Sequence, residues 1–253
     1  MVQVKAGRAR KRHVQQELFR HGGKRAGAGR PAKGPRPSER HERRPALRAS
    51  QPVHVVLRTV AGFGSLRRRH AYQAIREATI AAAKHEGFRI VHVSIQGTHL
   101  HLIVEASDRM TLARGVQGFE ISAAKHLNRM TSTASGGRRK GKVFADRYHA
   151  TILATPRQVR NTLAYVLNNW RRHREDRRGV AAAWQMDPFS SGAVFDGWKE
   201  REHHPFVPPL PPTYRALIVW CPKSWLLTTG WRRHGLISQW EVPKGNPALP
   251  RRR

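Results

Sequence analysis

His99 and His101 stand two residues apart in the run Thr98-His99-Leu100-His101-Leu102-Ile103-Val104-Glu105. In an extended chain side chains alternate, so both imidazoles go to one face and Leu100, Leu102 and Val104 to the other. Two adjacent imidazoles are a ready pair of ligands for a divalent cation. The chain holds 15 histidines, so the pair alone reads first as a polar sheet face with two incidental histidines. A second group is Tyr165 and Asn169 in Tyr165-Val166-Leu167-Asn168-Asn169. Four residues apart on a helix, they share one face. Among Leu163, Val166 and Leu167, a tyrosine is ordinarily a core residue with its hydroxyl at the rim, and Asn169 can be a surface residue near a helix end. Set against a paired-histidine strand, the two instead make a phosphoryl-transfer site, in which a metal polarises a phosphate and Tyr165 is the nucleophile. A phenol ionises near ~10, so Tyr165 needs help from a metal, a water or nearby arginines to lose its proton.

These residues need a scaffold, and the pattern around them supplies one. Val53, Val55 and Leu57 alternate with His54, Val56 and Arg58, which predicts a half-buried strand from Pro52 to about Val60. Gly62 and Gly64 break it, and Ser65 is placed to cap a helix carrying Leu66, Ala71, Ile75, Ala78, Thr79 and Ala82, ended by Gly87. Phe88 to Gln96 reads as a strand with Ile90, His92 and Ser94 on one face and Val91, Val93 and Ile95 on the other. Gly97-Thr98 turns it into the histidine strand, forming a β-hairpin. A helix follows from about Asp108 or Thr111 to Asn128, with Asp108 as cap. Thr131 to Gly141 is a polar, Gly-rich, basic loop, and Val143 to Leu153 is extended but interrupted at Asp146-Arg147-Tyr148. Thr155-Pro156 opens a third helix to about His173. The order β-α-β-β-α-β plus a helix predicts an α+β fold, a ferredoxin-like antiparallel sheet with helices on one face. That scaffold serves many functions.

Charge narrows the partners. Across 253 residues, 48 Lys and Arg against 16 Asp and Glu give a net charge of +32, which points to a polyanion, nucleic acid first. Residues 1–50 carry 15 basic and 3 acidic residues with few large apolar ones, and read as a flexible basic arm. Within it, Gly27-Ala28-Gly29-Arg30-Pro31 resembles an AT-hook, in which Arg30 would enter the narrow minor groove of A·T-rich duplex DNA; a generic Gly/Arg linker is the alternative. A single cysteine, Cys221, excludes a disulfide framework and cysteine-based zinc sites. No apolar run is long enough to span a bilayer. The expectation is therefore a cytoplasmic, nucleoid-associated bacterial protein with no membrane partner.

Taken together, the His-hydrophobic-His run at 99–101 and the Tyr165-to-Asn169 helix resemble the HUH motif and tyrosine helix of single-tyrosine transposases. The match is to REP-associated tyrosine transposases and insertion-sequence transposases of the IS-two-hundred type, over about Pro52 to His173. Gly118 to Asn128 and Val143 to His149 are similar to connecting segments of that group. Thr98 stands where the family usually has asparagine. The resemblance implies that His99, His101 and Asn169 hold a divalent metal, Mg²⁺ or Mn²⁺. It implies that Tyr165 cuts hairpin-bearing single-stranded DNA through a 5′-phosphotyrosine link, freeing a 3′-hydroxyl that rejoins strands. Arg67, Arg68 and Arg69, then Arg138, Arg139 and Lys140, then Arg171 and Arg172 would contact phosphates. Arg147 would approach a base beside Tyr148. The protein would act as a monomer or homodimer.

Three segments are expected: the arm at 1–50, a catalytic domain at 51–178 and an extension at 179–253 packed on it. In the extension, Trp220, Trp225, Trp231 and Trp240 are read as pins holding the tail, with base stacking as the alternative. The competing functional reading is a catalytically inactive or domesticated protein that binds DNA hairpins on the same scaffold.

Overall fold

A computed structural model of the chain describes residues 45–131, 137–177, 184–202 and 214–244. Arg30 and nearly all of the arm lie outside the described residues, as does the Pro-rich strip at 205–212. Four strands, β1 (Val53–Arg58), β2 (Phe88–Ile95), β3 (His99–Ala106) and β4 (His149–Ile152), form one antiparallel sheet in the order β2-β3-β1-β4. The α+β, ferredoxin-like expectation holds, with two of the three long helices on one face and the third on the other. Helices α1 (Arg69–Ala82) and α2 (Arg109–Met130) share one core with Val53, Val55, Leu57, Leu100, Leu102 and Val104. The third helix, α3 (Pro156–Arg172), covers the opposite face and packs with Val91 and Ile103 in a second core. Period-two alternation in β1 and β3 thus feeds two cores at once.

Local signals explain most element ends. Asp108 caps α2, its carboxylate accepting from the backbone N–H groups of Met110 and Thr111. Thr155 caps α3 by accepting from Gln158, and Pro156 sits at the first helical position, where no N–H is needed. Ser65 does not cap α1. Its hydroxyl accepts from Arg67 N–H at 3.2 Å, Leu66 N–H donates to the Gly97 carbonyl at 2.8 Å, and the helix begins only at Arg69. Burial of Leu66 beneath the hairpin turn holds this stretch out of the helix. Strand β2 also departs from strict alternation. A bulge between Ile90 and His92 sends Ile90, Val93 and Ile95 to the first core and Val91 to the second, while His92 meets Phe195 on the α3 side. Gly115 on α2 is needed because a Cβ there would collide with the Phe88 ring.

The C-terminal extension packs on both sides of the sheet: Leu217 joins the α1/α2 core, with Tyr72 and Arg76 of α1 donating to the Arg215 and Ala216 carbonyls, and the later residues lie against α3. Leu226 and Leu227 of the short helix α4 (Trp225–Thr228), with Trp198, Trp231 and Ile237, join the core formed by α3. Glu105, at the end of β3 and almost fully buried, accepts from the backbone N–H groups of Lys223 and Ser224. Along α3, Arg160 pairs with Glu241, Asn168 donates to the Ser238 carbonyl at 2.9 Å and Arg171 donates to the Gln239 carbonyl at 2.6 Å. Of the four tryptophans read as pins, Trp231 is 1% exposed within the α3 core, whereas Trp220, Trp225 and Trp240 are about half exposed; Trp198, which was not among them, is also 1% exposed in that core. Among the described residues, no helix is long and apolar enough to cross a membrane.

Candidate active site on the open face of the hairpin

The pairing of β1 with β3 decides which side chains share the face beneath α3. Arg58 stands opposite His99 and Val56 opposite His101, while His54 lies opposite Ile103 on the same face. On the other side of β3, Ser94 is opposite His101. Helix α3 brings Tyr165 onto this face: its ring lies edge-on to His101 with centroids 5.2 Å apart, and edge-on to His54 at 6.2 Å. The rings of His99 and His101 are 4.7 Å apart at nearly a right angle. His173, at the C-terminal cap of α3, approaches His99 at 6.3 Å. The sequence-based candidates His99, His101 and Tyr165 are therefore gathered in one place, with Asn169 one helical turn beyond Tyr165.

Burial sets the chemistry of these groups. His101 and Asn169 are essentially inaccessible, and Tyr165 is 7% exposed. Desolvation is the first cause of every shift here. It lowers His54 to about 3 and His99 to about 4, and it holds His101 well below the usual imidazole value; neighbouring histidines add to the effect at all three, and Arg58 at His99 and His101. These imidazoles are neutral at pH 7, so their lone pairs are available. Burial also raises the Tyr165 phenol, while the charges of Arg172 and Arg58 act in the opposite direction.

Four buried polar atoms here have no hydrogen-bond partner: His54 Nδ1, His101 Nε2 and both the Oδ1 and Nδ2 of Asn169. Leaving such atoms unpaired is costly, and two of them, an imidazole nitrogen and an amide oxygen, are good donors to a cation. Among the described residues, no three His, Cys, Asp or Glu side chains form a metal-binding group, so a third protein donor here has to come from another residue type. The Asn169 amide answers that description. The donor set therefore fits a divalent cation, and its two imidazoles suit a first-row transition ion better than Mg²⁺.

The basic residues separate into two kinds. Arg67 is turned inward, making a two-pronged pair with buried Asp187 at 2.9 Å on each arm, donating to the Ile95 carbonyl and lying over Phe189. Arg171 is likewise enclosed, bonded to Gln239, Gln185 and Asp176 and stacked between Trp170 and Trp240. Both guanidinium groups are committed to contacts within the chain. Arg139 bonds Asn128 and the Lys142 carbonyl and covers Phe63, and Arg172 reaches the Pro243 carbonyl at 3.4 Å. Arg68, Arg69, Arg138, Lys140 and Arg147 are exposed. Tyr148, beside Arg147, is a core residue. His54 and Arg58 were not singled out by sequence, and His173 was read only as part of the basic cluster that follows Tyr165. The alternation in β1 marked His54 and Arg58 as sharing one face, but only the β1–β3 register joins that face to the histidine pair.

Residues 49–169 match the family model described as "Transposase IS200 like". No curated protein matches the chain. A solved structure described as "Structure of the REP associates tyrosine transposase bound to a REP hairpin" is similar at 16% identity and a TM-score of 0.46, covering 60% of this chain and 82% of that one.

Proposed function

We propose, from the match of residues 49–169 to the model described as "Transposase IS200 like", that the protein is a transposase of that family, a metal-dependent single-tyrosine enzyme acting on hairpin-bearing single-stranded DNA. The observation that carries this reading is the Tyr165 ring against His101, whose Nε2 is buried and unpartnered, with an Asn169 amide in the same condition one helical turn from Tyr165. A protein that only binds DNA gains nothing from leaving those atoms unpaired in a neutral, desolvated pocket.

In this reading His99, His101 and Asn169 hold Mg²⁺ or Mn²⁺. The bound ion supplies charge neutralisation at a phosphoryl oxygen. Tyr165 Oη attacks the phosphorus and gives up its proton to solvent, a loss favoured by the charges of Arg58 and Arg172. The new P–Oη bond forms as the P–O3′ bond breaks, and the departing 3′-oxygen takes a proton to become a hydroxyl. The DNA 5′ end stays on Tyr165. In the return step another 3′-hydroxyl attacks the same phosphorus, the P–Oη bond breaks, and the phenol regains a proton. No nucleotide is hydrolysed, because the phosphodiester energy is kept in the tyrosyl link. Exposed Arg68, Arg69, Arg138, Lys140 and Arg147 supply phosphate contacts along the strand, and the N-terminal arm with Arg30 adds affinity for duplex DNA.

The test is covalent capture. The full chain incubated with hairpin-tipped single-stranded DNA and Mn²⁺ should yield a denaturation-resistant protein–DNA adduct with a free 3′-hydroxyl. Tyr165→Phe should bind the same DNA and give none. An equal adduct from Tyr165→Phe, or none from the wild type under conditions of tight binding, sinks the assignment in favour of a hairpin-binding role.

A further inference from the structure

His54 takes no part in the mechanism above, yet it is the most enclosed titratable group near the pair. It is fully buried, with Nε2 3.1 Å from His101 Nδ1. The two rings stack with centroids 5.2 Å apart and planes 24° from parallel, and the edge of His54 also meets Tyr165. Each ring has one further nitrogen, His54 Nδ1 and His101 Nε2, that is buried and unpartnered.

Two neutral imidazoles sharing one hydrogen bond have two arrangements of their protons. If His54 Nε2–H donates, His101 carries its own proton on Nε2 and cannot ligate through that atom. If His101 Nδ1–H donates, Nε2 presents a lone pair. Orienting a metal-bound histidine through its other ring nitrogen is a general requirement, and carboxylates or carbonyls usually meet it. Among the described residues the partner of His101 Nδ1 is another imidazole, that of His54, and not a carboxylate or carbonyl.

We infer that His54 is a positioning residue: its Nε2 accepts the Nδ1 proton of His101, fixing the ring and leaving the His101 Nε2 lone pair to a divalent cation. An imidazole does here what a carboxylate does elsewhere without adding a negative charge. That suits a site that must admit a phosphodiester. The inference rests on the reading of His101 as a metal ligand.

Mn²⁺ binding to the full chain, followed by the loss of the free-ion electron paramagnetic resonance signal, separates the two. His54→Leu keeps bulk and removes the acceptor; His54→Gln returns a carbonyl oxygen. His54→Leu should weaken Mn²⁺ binding about 10- to 100-fold, and His54→Gln should recover most of it. A thermal melt of each variant is run alongside, because a purely structural role would move melting temperature and leave affinity unchanged. If His101→Ala loses Mn²⁺ binding while His54→Leu binds like the wild type, the positioning role is wrong and the metal site stands. If His101→Ala also binds like the wild type, the metal reading fails and takes this inference with it. Should His54→Leu not fold, the Zn²⁺-loaded wild type decides by long-range ¹H–¹⁵N correlation: His101 must show a protonated Nδ1 and a metal-bound Nε2, and ligation through Nδ1 overturns the inference.

Discussion

Replacing Arg67 by Met tests whether a basic residue in a basic protein serves DNA or the fold. The Arg67 guanidinium is 9% exposed and the Asp187 carboxylate 0%, joined by two contacts of 2.9 Å. Asp187 also accepts from the Phe189 N–H at 3.0 Å. Met fills the space over Phe189 but leaves a buried carboxylate with one backbone donor. Breaking a buried pair from one side costs about 3–5 kcal/mol, mainly the stranded charge. With a urea slope of about 2–3 kcal/mol/M for a domain of this size, the unfolding midpoint should fall by about 1–2 M at pH 7. Burial already raises the Asp187 pKa, against the pull of Arg67, and Arg67→Met raises it further. A raised carboxylate pKa favours the folded state at low pH, and that advantage is lost as pH climbs through the folded value. The variant should therefore be least impaired in acid. In parallel, the salt dependence of DNA binding should keep its slope in Arg67→Met, whereas Arg68→Gln should lower it by about 0.7–0.9. A midpoint within about 0.3 M of wild type, with a slope reduced by about one phosphate contact, would refute the structural role.

Two further outcomes are expected. His92 is buried, bonded to Ser191, and lowered to about 4 by desolvation; the unfolded chain therefore takes up the proton first, and stability falls as pH drops from 6.5 toward 4. His92→Gln should remove about 2 kcal/mol of the stability difference between pH 7 and pH 5 in urea titrations, and an unchanged difference would contradict the assignment. Gly115→Ala should destabilise by about 1–3 kcal/mol in thermal melts, because the added methyl meets the Phe88 ring; a neutral result would mean that α2 shifts freely over β2.

What sequence could convey depended on the range of the physics. The orientation of His99 and His101 and the i, i+4 placement of Tyr165 and Asn169 follow from local periodicity, and both were legible. So were the caps at Asp108 and Thr155, which act within three residues. The β2 bulge at Val91 was not legible, since the run Phe88 to Ile95 alternates as well as any regular strand. His54 could be put on a face but not assigned a partner, because that needs the β1–β3 register across 47 residues. Arg67 and Arg171 look like any basic clusters until Asp187 and Gln239 are brought to them from 120 and 68 residues away. Trp231 is buried and Trp225 half exposed, a difference that their shared residue type does not reveal.

The bonds from Arg160, Asn168 and Arg171 to residues 238–241 have a kinetic consequence. Helix α3 is held from below by the sheet and from above by the tail, so Tyr165 cannot move away from His54 and His101 by itself. Any swing of α3, including one that would carry Tyr165 to a second subunit, must first unfasten the tail. The tail is thus a latch on the helix, and its opening rate is an upper limit on how often Tyr165 can change partners.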